Sequence, residues 1–100
     1  MASMYPTKSD EKFVYLIYGG HIAVITGLER EPLSLEGINT IEEVISRLDE
    51  KYHDFKEVFI PSGGIFNSRT AITLRRVGKP SFAVIDQKEQ VEAGDVLLLW

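Results

Sequence analysis

A single amphipathic helix constrains the fold of this chain more than any other feature of the sequence. Thr40 and Glu43 match the capping-box pattern that begins a helix. The apolar residues that follow recur at i, i+3, i+4, i+7 and i+11, which places on one side of about three turns Ile41, Val44, Ile45, Leu48 and Tyr52. No second long helix is predicted, so a sheet must cover this apolar side. The sequence therefore predicts an α+β domain of two layers.

Runs rich in aromatic and β-branched residues predict the strands of that sheet. These runs are residues 12–18, 21–26, a short piece at 58–60, 71–77, 81–86 and 96–100. Gly19-Gly20 joins the first two runs and predicts a tight hairpin, because glycine adopts the positive φ angles that such turns need. Residues 27–38, which contain Pro32 and Gly37, are predicted to form a connecting loop.

A hairpin followed by one helix and then further strands favours a β-grasp with a mixed sheet of four to five strands. Its central pair would be the first and last strands, lying parallel, since residues 12–18 and 96–100 are apolar on both faces. A ferredoxin-like fold is the alternative, but it requires a second long helix. Residues 12–100 are expected to form one domain. Residues 1–11 are expected to form a flexible N-terminal arm, and Met4 leaves open whether residues 1–3 are native.

Composition limits the chemistry that this chain can perform. Cysteine is absent, which excludes disulfides, thiolate metal sites and a cysteine nucleophile. No apolar run approaches the roughly 20 residues that cross a bilayer, and no signal peptide is visible, so we expect a cytoplasmic protein without membrane association. His21 and His53 lie far apart in sequence, and no P-loop or dinucleotide-binding motif is present. We therefore expect no catalytic residue, no metal and no cofactor.

The charges are unevenly distributed along the chain. The net charge is −4, which argues against general nucleic-acid binding. Residues 58–85 nevertheless contain no acid, and their four bases are Arg69, Arg75, Arg76 and Lys79. The remaining residues carry 15 acids and seven bases, a balance of −8. A basic sheet edge on an acidic body could attract an acidic partner. The simpler alternative is a set of solvated strand positions balanced by neighbouring acids.

The hairpin, the capped helix and the closing segment 92–99 together resemble the ThiS and MoaD sulfur carriers and the ubiquitin-related modifier. In these families a Gly-Asp turn leads into the final central strand, as Gly94-Asp95 leads here into Val96, with Val91 just before the turn. The resemblance covers residues 12–100 and implies a ubiquitin-like β-grasp. It also implies a function, because the carriers end in a flexible Gly-Gly whose carboxylate a partner enzyme adenylates. That carboxylate is then converted to a thiocarboxylate or an isopeptide.

This sequence ends at Trp100 without a terminal Gly-Gly, and Gly63-Gly64, like Gly19-Gly20, is expected to be a turn. We therefore expect a non-catalytic ubiquitin-like interaction module or small accessory subunit that binds another protein. Its expected contact surface is the exposed sheet face and edge, formed by Ile72, Leu74, Arg75, Arg76, Lys79, Phe82 and Trp100.

Three alternatives remain open. The chain could be a carrier or modifier of the MoaD/ThiS type whose Gly-Gly tail is missing from this sequence. It could also be an accessory domain cut from a larger enzyme. Finally, an exposed strand edge could pair two copies into a homodimer.

Overall fold

The computed structural model describes residues 12–61, 67 and 69–100, which build a five-stranded mixed sheet with its main helix across one face. The strands in chain order are β1 (Phe13–Tyr18), β2 (Arg30–Ser34), β3 (Ile72–Arg75), β4 (Phe82–Ala83) and β5 (Val96–Leu99). The helices are α1 (Gly20–Thr26), α2 (Ile41–Lys51) and α3 (Phe55–Phe59). The strand order is β2-β1-β5-β3-β4, with β1 and β5 parallel and the other pairs antiparallel. The predicted α+β architecture and its central parallel pair are confirmed.

Helix α2 begins as its sequence predicts. The Thr40 side chain accepts a hydrogen bond from the Glu43 N–H at 3.3 Å, and the Glu43 carboxylate accepts from the Thr40 N–H at 3.1 Å. The next two backbone N–H groups, of Ile41 and Glu42, donate to carbonyls of the loop that precedes β5. The four N-terminal N–H groups, which a helix cannot pair internally, are thus all satisfied, two by the capping box and two by the loop that precedes β5.

The core lies between α2 and one face of the sheet. From α2 it contains the predicted apolar side, Ile41, Val44, Ile45 and Leu48, all at most 1% exposed. From the three central strands it contains every second residue, namely Val14, Leu16, Tyr18, Ile72, Leu74, Leu97 and Leu99. Phe55 and Phe59 of α3 extend this core beyond the end of α2, with ring centroids 5.3 Å apart. The three central strands thereby bury all of their residues on this face of the sheet.

The predicted hairpin at Gly19-Gly20 is wrong, because residues 20–26 form α1. Strand β1 already has β5 on one side and β2 on the other, so the sheet has no position left beside it for residues 21–26. Gly20 and Gly27 adopt positive φ angles of 54° and 76° at the two ends of this helix. Tertiary structure therefore outweighs the strand propensity of the β-branched residues in this segment. In the helix that forms instead, Ile22 is buried in the core and Val24 is exposed.

Three further boundaries differ from the sequence prediction. The predicted loop 27–38 contains β2, an edge strand, where Pro32 is tolerated because its missing N–H faces away from β1. The predicted strand piece at 58–60 belongs to α3 and the turn after it. The predicted strand 81–86 is reduced to the two residues of β4. Among the residues that the structure describes, no helix is long and apolar enough to cross a membrane.

Candidate functional site

The sheet face opposite α2 is the candidate site, and we call it the open face. Side chains alternate along a strand, so the residues between the core positions point to this second face. They are half-buried or exposed, and they comprise Phe13, Tyr15, Ile17, Arg30, Pro32, Ser34, Thr73, Arg75, Ala83, Val96, Leu98 and Trp100. Most of the central members are apolar.

The strand registers arrange the open face in rows. Tyr15 lies beside Val96 of β5 and opposite Pro32 of β2, and Val96 in turn lies opposite Arg75. The neighbouring row runs Arg30, Ile17, Leu98 and Thr73, from the edge strand inward. An apolar strip along β1 and β5 therefore has one arginine on each side.

Two adjoining depressions follow this strip. The larger encloses about 380 Å³, and its rim and floor include Tyr15, Ile17, Arg30, Arg75 and Val96. The smaller, of about 160 Å³, shares Ile17, Arg75 and Val96 with it and extends over Leu98 toward Ser81. Leu16 and Glu31 also border the larger depression, although the Glu31 carboxylate bonds to residues on the opposite, core side of the sheet. This is a continuous, concave and mostly apolar surface with two cations.

Trp100 closes one end of the open face. Its backbone pairs with Ala71, donating at 3.0 Å and accepting at 2.6 Å, and its side chain is 52% exposed. A Cβ added at Gly19 would lie 3.0 Å from the Trp100 Cβ, so Gly19 provides the space in which Trp100 lies against β1. Tyr15, which is 49% exposed, lies farther along the same strip. Two exposed aromatic side chains, Tyr15 and Trp100, are thus available on one face.

The seven residues of the predicted contact surface do not lie together. Arg75 and Trp100 are on the open face and exposed. The prediction that Ile72 and Leu74 lie on the surface is wrong, because both side chains point to the core and the residues are only 4% and 0% exposed. Phe82 lies opposite Leu74 on the α2 side and is 39% exposed, and Lys79 is exposed in the turn between β3 and β4. The binding role of this set is not tested and remains a prediction.

Arg76, the seventh predicted surface residue, serves the fold instead. Its Nε and Nη2 donate to the two carboxylate oxygens of Asp95 at 3.0 and 2.9 Å. The Asp95 side chain is buried and also accepts from the Glu92 N–H at 2.8 Å. Hydrogen bonding to Asp95, followed by attraction to nearby carboxylates, raises the pKa of Arg76. Charge reversal at Arg76 would consequently disturb folding rather than report on binding.

A polar cluster on the core side joins β2 to the end of α2. The Glu31 carboxylate accepts hydrogen bonds from Tyr18 Oη at 2.6 Å, and from Tyr52 Oη and Lys51 Nζ at 2.5 Å each. Burial raises the pKa of Glu31, but the hydrogen bonds from Lys51, Tyr18 and Tyr52 outweigh it, so the pKa is lowered from the ordinary 4.5. Burial, followed by hydrogen bonding to Glu31, raises the pKa of both Tyr18 and Tyr52. We infer that this cluster stabilises the fold, because donors from β1 and from the end of α2 all bond to one carboxylate of β2.

Sequence reasoning missed most of the open face. Arg30 and Pro32 were predicted to lie in a loop, while Tyr15, Ile17 and Val96 were predicted only as strand residues. The sequence does contain a signal for the open face. Both β1 and β5 are apolar on both faces, and a single long helix can cover only one of those faces. In 72–75 the apolar and polar residues alternate, which also indicates that Ile72 and Leu74 share the buried side.

Residues 1–11, predicted to form a flexible arm, and Gly63-Gly64, predicted to be a turn, lie outside the described residues. Within the described ranges, no group of three or more histidine, aspartate or glutamate residues is placed to hold a metal ion. The expectations of no metal, no cofactor and no catalytic residue remain predictions.

The chain matches known proteins only through its three-dimensional structure. No protein-family model matches the sequence, and none of the curated proteins matches it. The small archaeal modifier protein 1 of Haloferax volcanii superposes with a TM-score of 0.65 at 18% identity, covering 88% of this chain and 92% of that one. The corresponding Methanosarcina acetivorans protein gives 0.65 at 16% identity, covering 89% and 91%. A putative molybdopterin converting factor subunit 1 from Pyrococcus furiosus gives 0.62 at 19% identity, covering 88% and 94%.

These likenesses establish the fold of the chain as a ubiquitin-like β-grasp. The sequence resemblance to the MoaD-type carriers and ubiquitin-like modifiers is confirmed as a likeness of fold. Identities of 16–19% leave activity to be argued from the site itself.

Proposed function

We propose that this chain is a non-catalytic ubiquitin-like protein that acts by binding a partner protein through its open face. The observation that carries the proposal is the apolar strip of Tyr15, Ile17, Val96, Leu98 and Trp100, which folding leaves partly in solvent. Contiguous apolar surface of this kind, flanked by polar groups, is typical of protein–protein contact. Aromatic and arginine side chains, both present here, are the types that most often dominate interface energy.

The strip also has the form of a docking surface. Its two depressions adjoin and share three residues, so a partner side chain can enter without rearrangement of the strands. The strands beneath it are central in the sheet and paired on both sides. A site on such rigid elements is pre-organised, which reduces the entropic cost of association.

Partner capture with matched variants tests this proposal. Tyr15→Glu places a charge on the open face, whereas Val24→Glu makes the same kind of change on α1 at an 81% exposed position. Native extract is applied to the immobilised wild-type chain and to both variants, after circular dichroism confirms that each is folded. We expect specific partners to be retained by Val24→Glu and lost by Tyr15→Glu. Partners that bind Tyr15→Glu as well as the wild type would contradict the role of the open face.

A carrier or modifier role is the second candidate, and the structural neighbours favour it. Two of them are named as small archaeal modifier proteins and one as a putative molybdopterin converting factor subunit. Backbone pairing holds residue 100 to Ala71, so any tail entering a partner's active site would leave the sheet beyond that residue. Carrier chemistry would then need an extended, narrow segment with a free carboxylate.

The native reading frame beyond Trp100 is the first test of this second candidate, since a closing Gly-Gly would favour it. The second test incubates the full native chain with an activating enzyme of the carrier type from the same organism. ATP–pyrophosphate exchange that depends on the chain would show formation of the C-terminal adenylate. If the chain binds the enzyme but ATP–pyrophosphate exchange does not occur, the carrier role is contradicted and the role of a non-catalytic interaction module is favoured.

A further inference from the structure

We infer that the partner segment recognised by the open face is acidic as well as apolar. It would place an apolar side chain in the larger depression beside Tyr15 and carboxylates against Arg30 and Arg75. This inference rests on the proposed binding function of the open face and specifies the chemistry of the partner.

The first observation is where the two arginines lie. Arg30 is on the edge strand β2 and Arg75 is on β3, so β1 and β5 lie between them. Both side chains border the same depression, from its opposite sides. Three strand spacings of about 4.8 Å, with an offset of two residues along the strands, separate their backbones by roughly 16 Å. An extended segment of about five residues covers that distance.

The second observation is that both cations lack a partner within the described part of the chain. The ion pairs found there use Lys51, Arg76 and Lys88, and neither Arg30 nor Arg75 takes part in one. Arg76, the neighbour of Arg75, is instead committed to Asp95. Two exposed guanidinium groups thus remain available for an external acceptor, and guanidinium binds carboxylate in a paired, directional geometry.

The third observation is the distribution of acids. None of the described open-face positions is acidic, although the whole chain has a net charge of −4. Acidic side chains are instead found on α2, on the other side of the sheet, including Glu42, Glu43 and Glu50. The open face is therefore a cationic area on an anionic molecule. Such a distribution favours the approach of an acidic partner at this face and disfavours its approach elsewhere.

Peptide selection tests the inference even while the partner protein is unidentified. A random dodecapeptide phage library is selected on the immobilised wild-type chain, and the enriched peptides are synthesised. Binding is measured to the wild type, Tyr15→Glu, Arg30→Glu with Arg75→Glu, and the control Lys12→Glu with Lys88→Glu. The control reverses the same number of exposed charges at positions that belong neither to the open face nor to the predicted contact surface.

We expect the enriched peptides to combine aspartate or glutamate with an aromatic or aliphatic residue. Their affinity should fall at least about tenfold in the Arg30/Arg75 variant, hold in the control, and weaken with added salt. Two results would overturn the inference of an acidic partner while leaving the open face as the binding site. These are peptides that require Tyr15 but contain no acid, and peptides that require Tyr15 but bind the Arg30/Arg75 variant as well as the wild type. A selection yielding no peptide, or only peptides indifferent to Tyr15→Glu, would contradict the open face itself.

Discussion

At the scale of single residues, the Gly-Asp turn that resembles the carrier families has a structural explanation. Gly94 adopts a φ of 89°, a left-handed conformation that favours glycine, and its N–H donates to the Phe13 carbonyl. Asp95 then turns its carboxylate inward to the Glu92 N–H and the Arg76 guanidinium. The motif therefore positions the start of β5 beside β1, and it needs a basic residue from the end of β3 to complete it.

Two adjacent arginines should differ sharply in their effect on stability. Arg76→Met leaves the buried Asp95 carboxylate without its ion-pair partner, and we expect a loss of about 3 kcal/mol in the free energy of unfolding. Arg75→Met, one residue away on the open face, should change it by less than about 0.5 kcal/mol. Urea unfolding of both variants provides the measurement. Equal losses of unfolding free energy in the two variants would show that the buried Asp95 carboxylate does not need Arg76 for its stabilisation.

At the scale of elements, the capping box is the part of α2 most open to a direct test. Thr40→Ala removes the acceptor for the Glu43 N–H and should lower the free energy of unfolding by about 1 kcal/mol. Thr40→Ser keeps a hydroxyl at this position and serves as the control. The urea midpoint should fall for the alanine variant with an unchanged slope, whereas equal midpoints for the two variants would contradict the capping role.

The elements also show which parts of this fold the sequence determines locally. Helix α2 could be predicted because its cap and its apolar period lie within 13 residues, and β1 and β5 because their apolar character is continuous. Helix α1 could not, since its residues favour a strand and only the neighbours of β1 exclude them from the sheet. Strand β2 was missed because Pro32 is unfavourable in a strand unless the strand lies at an edge. Of the predicted contact residues, Arg75 and Trp100 are exposed on the open face, whereas Ile72 and Leu74 are buried, as the alternation of apolar and polar residues in β3 indicates.

Edge strand β2 also bears on the predicted homodimer. Tyr18 and Leu35 donate backbone hydrogen bonds to Glu29 and Lys12, so the residues of β2 that face outward are the alternate ones, including Pro32. Proline contributes no N–H there, which interrupts the row of donors that a second strand would use. Pairing of two copies through this edge is therefore disfavoured, and the homodimer remains an untested prediction.

At the scale of the whole molecule, Glu31 connects layers that are distant in sequence. Its carboxylate belongs to the edge strand β2, while its donors come from β1, from the last turn of α2 and from the residue after it. One ionised side chain therefore fixes the sheet edge to the helix layer. Because this carboxylate is ionised more readily in the folded chain than in the unfolded one, stability becomes dependent on pH.

The direction of that pH dependence follows from the lowered pKa of Glu31. The contribution of Glu31 should be complete above its ordinary pKa of 4.5 and should be lost as the pH falls below that value toward the lowered pKa of the folded state. Glu31→Gln should be less stable than the wild type at neutral pH, and the difference should shrink in acid. Urea midpoints between about pH 3 and pH 7 test this. A difference that stays constant over this range would contradict the assignment.

The parallel pairing of β1 with β5 has a consequence for the synthesis of this protein. Tyr15 lies beside Val96, so the centre of the sheet joins residues that are 81 positions apart. At 5–20 residues per second, the ribosome adds the second partner roughly 4 to 16 s after the first. Throughout that interval β1 lacks its central neighbour, and the edge that β5 will occupy is available to chaperones or to other nascent chains. The central pair of the sheet can therefore form only after β5 has left the exit tunnel.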